Sequence, residues 1–79
     1  MTTYTAFTTL PDAARACAVS DALERMDPAP MGIGTFEIED GSGRWEVGGY
    51  FTEPPDTAAL ALLSAATGAA EFVVSKVPD

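Results

Sequence analysis

An α+β fold of the order β-α-β-β-α-β is predicted by three observations on this 79-residue sequence. Four short stretches are rich in β-branched and aromatic residues, and two alanine-rich stretches carry apolar residues at helical spacing. A glycine-rich turn joins the middle two strands into a hairpin. That order is the split β-α-β, or ferredoxin-like, unit: a four-stranded antiparallel sheet with two helices on one face. Right-handed crossovers put both helices on the same side and leave the other sheet face in solvent.

Each element has its own warrant. Strand one is expected from Tyr4 to Leu10, and Pro11-Asp12 breaks it and opens a helix. From Ala13 to Met26 the apolar positions Ala16, Val19, Leu23 and Met26 recur with helical period, while Arg15, Asp21, Glu24 and Arg25 fall outward. Asp27-Pro28-Ala29-Pro30 stops that helix. Strand two is expected over Gly32 to Glu39 and strand three over Arg44 to Phe51. Asp56 is the expected N-cap of the second helix, with Leu60, Leu63 and Thr67 on one face and Gly68 ending it. Strand four follows from Glu71 to Val77.

The central hairpin carries the functional reading. Phe36 and Ile38 alternate with Glu37 and Glu39, and Trp45 and Val47 flank Glu46, on either side of Asp40-Gly41-Ser42-Gly43. With those four residues as the loop, Glu39 lies opposite Arg44, Ile38 opposite Trp45 and Glu37 opposite Glu46. An ion pair between Glu39 and Arg44 is then expected, together with a like-charge pair that costs stability. Phe36, Ile38, Trp45 and Val47 are expected in the core against Val19, Leu23, Leu60 and Leu63. Glu37, Glu39, Arg44, Glu46 and Tyr50 are expected on the open face.

Composition narrows the function. A hydrophobic content of 47% is enough for a folded domain rather than an acidic disordered segment. Twelve acids against four bases, without histidine, give a formal net charge of -8. Nucleic acid and anionic membrane surfaces are disfavoured as partners, a basic protein or cationic ligand is attracted, and solubility of a small domain is the competing account of the acids. Cys17 is alone, so no disulfide or paired-cysteine metal site forms within the chain, and it is expected to be a buried structural thiol. The sequence has no apolar run long enough to span a membrane, and Met1-Thr2-Thr3-Tyr4 lacks signal-peptide character. A cytoplasmic location is expected.

No catalytic constellation is present. Histidine, the commonest general base, is missing, and the serines at 20, 42, 64 and 75 have no base to activate them. Gly32-Ile33-Gly34 opens a strand, whereas a dinucleotide loop follows a strand and opens a helix. Asp40-Gly41-Ser42-Gly43 offers too few ligands for calcium. Gly48-Gly49 suggests a bulge or kink in strand three.

Gly34-Thr35-Phe36-Glu37-Ile38-Glu39-Asp40, Trp45-Glu46-Val47-Gly48-Gly49-Tyr50-Phe51 and Thr52-Glu53-Pro54-Pro55-Asp56 carry a family resemblance. With the closing Val74-Ser75-Lys76-Val77-Pro78-Asp79, they resemble the amino-terminal domain of the PrmA family, methyltransferases of large-subunit ribosomal protein eleven. The resemblance spans essentially the whole chain and rests on hairpin and turn residues. It implies a single ferredoxin-like substrate-recognition domain over residues 1–79 that grips a basic ribosomal protein. A separate domain, absent from these residues, would bind S-adenosylmethionine and transfer the methyl group to lysine and α-amino nitrogens. The resemblance carries over no catalytic or cofactor-binding residue. The ending at Val77-Pro78-Asp79 is expected to coincide with a domain boundary, and a monomer is expected. Glu37, Glu46 and Tyr50 are the candidate partner-binding residues.

Two other functions share this element order. One is a small-molecule-sensing module of the ACT type. The other is an acylphosphatase-like enzyme, which wants an arginine after strand one where Thr9-Leu10-Pro11-Asp12 offers an acid. The scaffold alone does not choose among them.

Overall fold

A computed structural model describes residues 2–78 of the chain. Met1 and Asp79, the latter at the expected domain boundary, lie outside the described residues. The elements are β1 (Thr2–Leu10), α1 (Ala13–Glu24), β2 (Gly32–Glu37), β3 (Trp45–Phe51), α2 (Thr57–Thr67) and β4 (Val73–Pro78). One antiparallel sheet takes the order β2-β3-β1-β4. Each β-α-β unit therefore encloses a strand of the other, since β1-α1-β2 spans β3 and β3-α2-β4 spans β1. This is the ferredoxin-like layout the sequence predicts.

Both helices begin where an aspartate can accept orphan N–H groups. The Asp12 carboxylate accepts from the Arg15 backbone N–H at 2.8 Å and from its guanidinium at 2.9 Å. Asp56 accepts from Ala58 N–H and Ala59 N–H, both at 3.1 Å. Each cap contributes about 1 kcal/mol. Gly68 ends α2 with φ of 71°, a left-handed conformation that a side chain would oppose.

The helices share one core. Ala6 and Leu10 of β1, Val47 and Phe51 of β3, Ala16, Val19 and Leu23 of α1, and Leu60 of α2 are all buried together. Ile33, Trp45 and Leu63 pack against this cluster while partly exposed. Three expected members do not behave as predicted. Phe36 is 53% exposed on the opposite sheet face, and Ile38 lies beyond the end of β2. Cys17 is exposed rather than buried. It follows Ala16 on α1, and a single step of about 100° around the helix carries it off the buried stripe.

The passage from α2 into β4 is tied down by hydrogen bonds. The buried Thr8 hydroxyl donates to the Ala70 carbonyl, and Ala70 N–H donates to the Thr9 carbonyl at 3.0 Å. The Ser64 hydroxyl donates to the Ala69 carbonyl at 2.9 Å. The chain is thereby paired to β1 before β4 begins.

Strand β3 carries no bulge at Gly48-Gly49, because its pairing with β1 and β2 runs without interruption. Gly48 serves a different end. A Cβ placed there would fall 2.3 Å from the Phe7 ring, so the glycine gives that ring its seat. Gly48→Ala must push Phe7 aside and is expected to cost roughly 1–3 kcal/mol in urea unfolding. In a Phe7→Ala background the same substitution should cost clearly less, because the obstructed ring is gone.

Candidate functional site

Register decides which residues share the open face. The hairpin pairs Glu37 with Trp45, Phe36 with Glu46 and Thr35 with Val47. Pairing continues past β2, where Ile38 N–H donates to the Arg44 carbonyl at 2.9 Å. Residues 39–43 therefore form a five-residue loop, one longer than expected, and the register moves by one. Since side chains alternate with period two, that step turns β2 over. Ile33, Thr35 and Glu37 lie on the helix side of the sheet. Gly32, Gly34 and Phe36 lie on the open side.

Of the three candidate residues, Glu46 and Tyr50 share the open face and Glu37 does not. The expected like-charge pair between Glu37 and Glu46 is absent. Glu37 is exposed on the edge strand, on the opposite face from Glu46. The expected Glu39–Arg44 ion pair is replaced by Arg44 with Asp40 at 3.0 Å.

In place of an acidic surface, the open face presents rings and valines. Phe7 and Tyr50 meet edge to face, with centroids 5.6 Å apart and planes at 82°. The Phe36 ring lies over Gly34, where a Cβ would come within 2.7 Å of it. Gly34 pairs with Gly48, so two phenyl rings cover adjacent bare stretches of backbone. β4 adds Val73 opposite Phe7 and Val77 opposite Thr3. Val73 is 66% exposed and Val77 50% exposed. Among the described strand residues of this face, Glu46 is the single charge. Exposed apolar surface of this kind makes the face the candidate interaction site.

Sequence reasoning missed Phe7, Phe36, Val73 and Val77 as members of the face. A signal was available in the glycines at 32, 34 and 48, which leave backbone for aromatic neighbours to cover. The face borders one groove of about 270 Å3 lined by Phe7, Thr8, Thr9, Glu46, Ala70, Glu71 and Val73. A second, of about 190 Å3, lies between α2 and the start of β4.

The hairpin loop is a folded unit. Ser42 N–H donates to Asp40 Oδ1 at 2.9 Å, and the Arg44 guanidinium donates to Asp40 Oδ2 at 3.0 Å. The Ser42 hydroxyl in turn accepts from Arg44 N–H and Nε–H. Gly41 and Gly43 both take φ of 78°. Hydrogen bonds from the Ser42 hydroxyl, then from its backbone N–H, then from Arg44 lower the Asp40 pKa from 3.8 to about 2.

Compared with known protein families, curated proteins and solved structures, the chain matches none. No group of three or more His, Cys, Asp or Glu among the described residues is placed to hold a metal ion. No described helix is long and apolar enough to cross a membrane.

The depressed Asp40 pKa gives the loop a pH signature. Because the folded value lies below the unfolded one, the stabilisation is present above pH 3.8 and is lost as pH falls towards 2. Wild type and Asp40→Asn should differ in stability at neutral pH and converge below about pH 2, in urea unfolding across that range. Carboxyl NMR should place the Asp40 midpoint well below 3.8.

Proposed function

We propose that this domain recognises the substrate of an S-adenosylmethionine-dependent methyltransferase acting on a basic large-subunit ribosomal protein in the cytoplasm. Methyl transfer belongs to a separate domain. The observation that carries the reading is the open face: Phe36, Tyr50, Val73 and Val77 exposed, with half-buried Phe7 between them, around Glu46 in a molecule of net charge -8. The PrmA-like hairpin and turn residues support the choice of partner.

The division of labour follows from where the charges sit. Asp21 and Glu24 on α1, Glu37 on the hairpin edge, Glu39 in the loop and Glu53 after β3 are exposed but off the face, the α1 pair and Glu37 on the helix side of the sheet. They attract a basic protein at long range and orient its approach. The rings and valines then supply the desolvated centre, where most binding energy resides. Glu46 and Tyr50 contact the partner directly, and Glu37 acts through the field.

Isothermal titration of the 79-residue chain with the ribosomal protein tests this. Affinity should fall as salt rises, fall about tenfold or more in Phe36→Ser with Tyr50→Ser, and fall less in Glu37→Lys. Absence of binding at low salt, or full affinity in the Phe36/Tyr50 variant, would sink the assignment.

A further inference from the structure

The groove of about 270 Å3 at one corner of the open face has a chemistry more specific than the face as a whole. Phe7 and Val73 stand opposite one another across β1 and β4 and form an apolar floor. Two residues further along β1, Thr9 pairs with Glu46 of β3 on one side. On its other side the Thr9 carbonyl accepts the Ala70 N–H, which brings the following residue, Glu71, to the groove. Glu46 and Glu71 thus approach from opposite sides of β1, on backbones about 10 Å apart, two strand spacings. The ion pairs among the described residues join Arg15 to Asp12 and Arg44 to Asp40, and neither involves these two carboxylates.

We propose that this groove receives a lysine side chain from an extended basic segment of a partner protein, an inference that rests on the docking reading above. The methylenes of lysine lie along Phe7 and Val73, as long cationic side chains do on apolar surface. The ammonium sits between two carboxylates that approach from different directions, and the Phe7 ring adds attraction to the cation. A compact charge with freely turning donors suits two separated acceptors, whereas the planar fork of arginine is matched to a single carboxylate. A second copy of this chain is a poor occupant, since net charge -8 sets two acidic surfaces against each other.

The test is a ¹H–¹⁵N NMR titration of the chain with blocked Val-Lys-Val-Lys-Val peptide and its Val-Gln-Val-Gln-Val analogue. The lysine peptide should shift the amides of Phe7, Thr9, Glu46, Glu71 and Val73, and the glutamine peptide should leave them in place. Glu46→Gln with Glu71→Gln should weaken the lysine peptide roughly three- to tenfold while keeping a folded spectrum. Three results overturn the proposal: no shifts at millimolar peptide, shifts centred on Asp21 and Glu24, or unchanged affinity in the double variant. Ribosomal protein bound equally by wild type and double variant would remove the lysine groove and keep the docking reading. Lysine peptide in the groove without ribosomal-protein binding would do the reverse.

Discussion

The placement of β3 between β1 and β2 constrains everything else about this surface. It is hydrogen-bonded along both edges, so its register fixes the side on which every residue of two neighbouring strands emerges. Val47 and Phe51 are fully buried, which locks the odd positions of β3 to the core. Glu46, Gly48 and Tyr50 must then face solvent. Phe7 follows, because it pairs with Gly48 and can only lie across a residue without a side chain. Phe36 follows in the same way from its pairing with Glu46. An aromatic open face is the consequence of burying two β3 residues.

Much of this was legible in the sequence, and the failures on the hairpin share one cause. Element order, both aspartate caps, the left-handed Gly68 and the core positions Val19, Leu23 and Leu60 were readable because each rests on local chemistry or strong periodicity. The face of β2 was not. Phe36-Glu37-Ile38-Glu39 alternates cleanly, and its apolar members look like core. The side they take depends on the length of the loop, and a five-residue loop differs from a four-residue one by the inversion of the whole strand. Asp40, Ser42 and Arg44 set that length through hydrogen bonds that a pattern of polar and apolar residues does not encode. Cys17 failed for a smaller reason: in a helix of alanines the buried stripe has a soft margin.

The corrected register also changes the electrostatic picture. An acidic sheet face would have bound a basic partner by charge alone, weakly and with strong salt dependence. The actual arrangement places charge and apolar surface apart. Acids on α1, the hairpin edge and the loops generate a field that favours basic proteins, while the face itself keeps one strand carboxylate among rings. Charge spread over the rest of the molecule raises the rate of encounter with a basic protein, and apolar area at a contact governs dissociation.

Magnitudes show why the face must act as a unit. Complete burial of one valine or phenylalanine contributes roughly 1.5–3 kcal/mol, and these residues are already partly covered by their neighbours. Association opposes this with an estimated 4–15 kcal/mol of lost translational and rotational freedom. One ring therefore cannot hold a partner tightly, and neither can one lysine between half-buried Glu46 and exposed Glu71. Phe36, Tyr50, Val73 and Val77 contacted together can overcome that cost, provided the surface is already in its bound shape. The glycines supply that shape. With Phe7 seated on Gly48 and Phe36 on Gly34, the rings lie against backbone and lose little freedom when a partner covers them. The packing that makes Gly48 intolerant of a methyl group is the same packing that would preorganise the surface for the proposed docking.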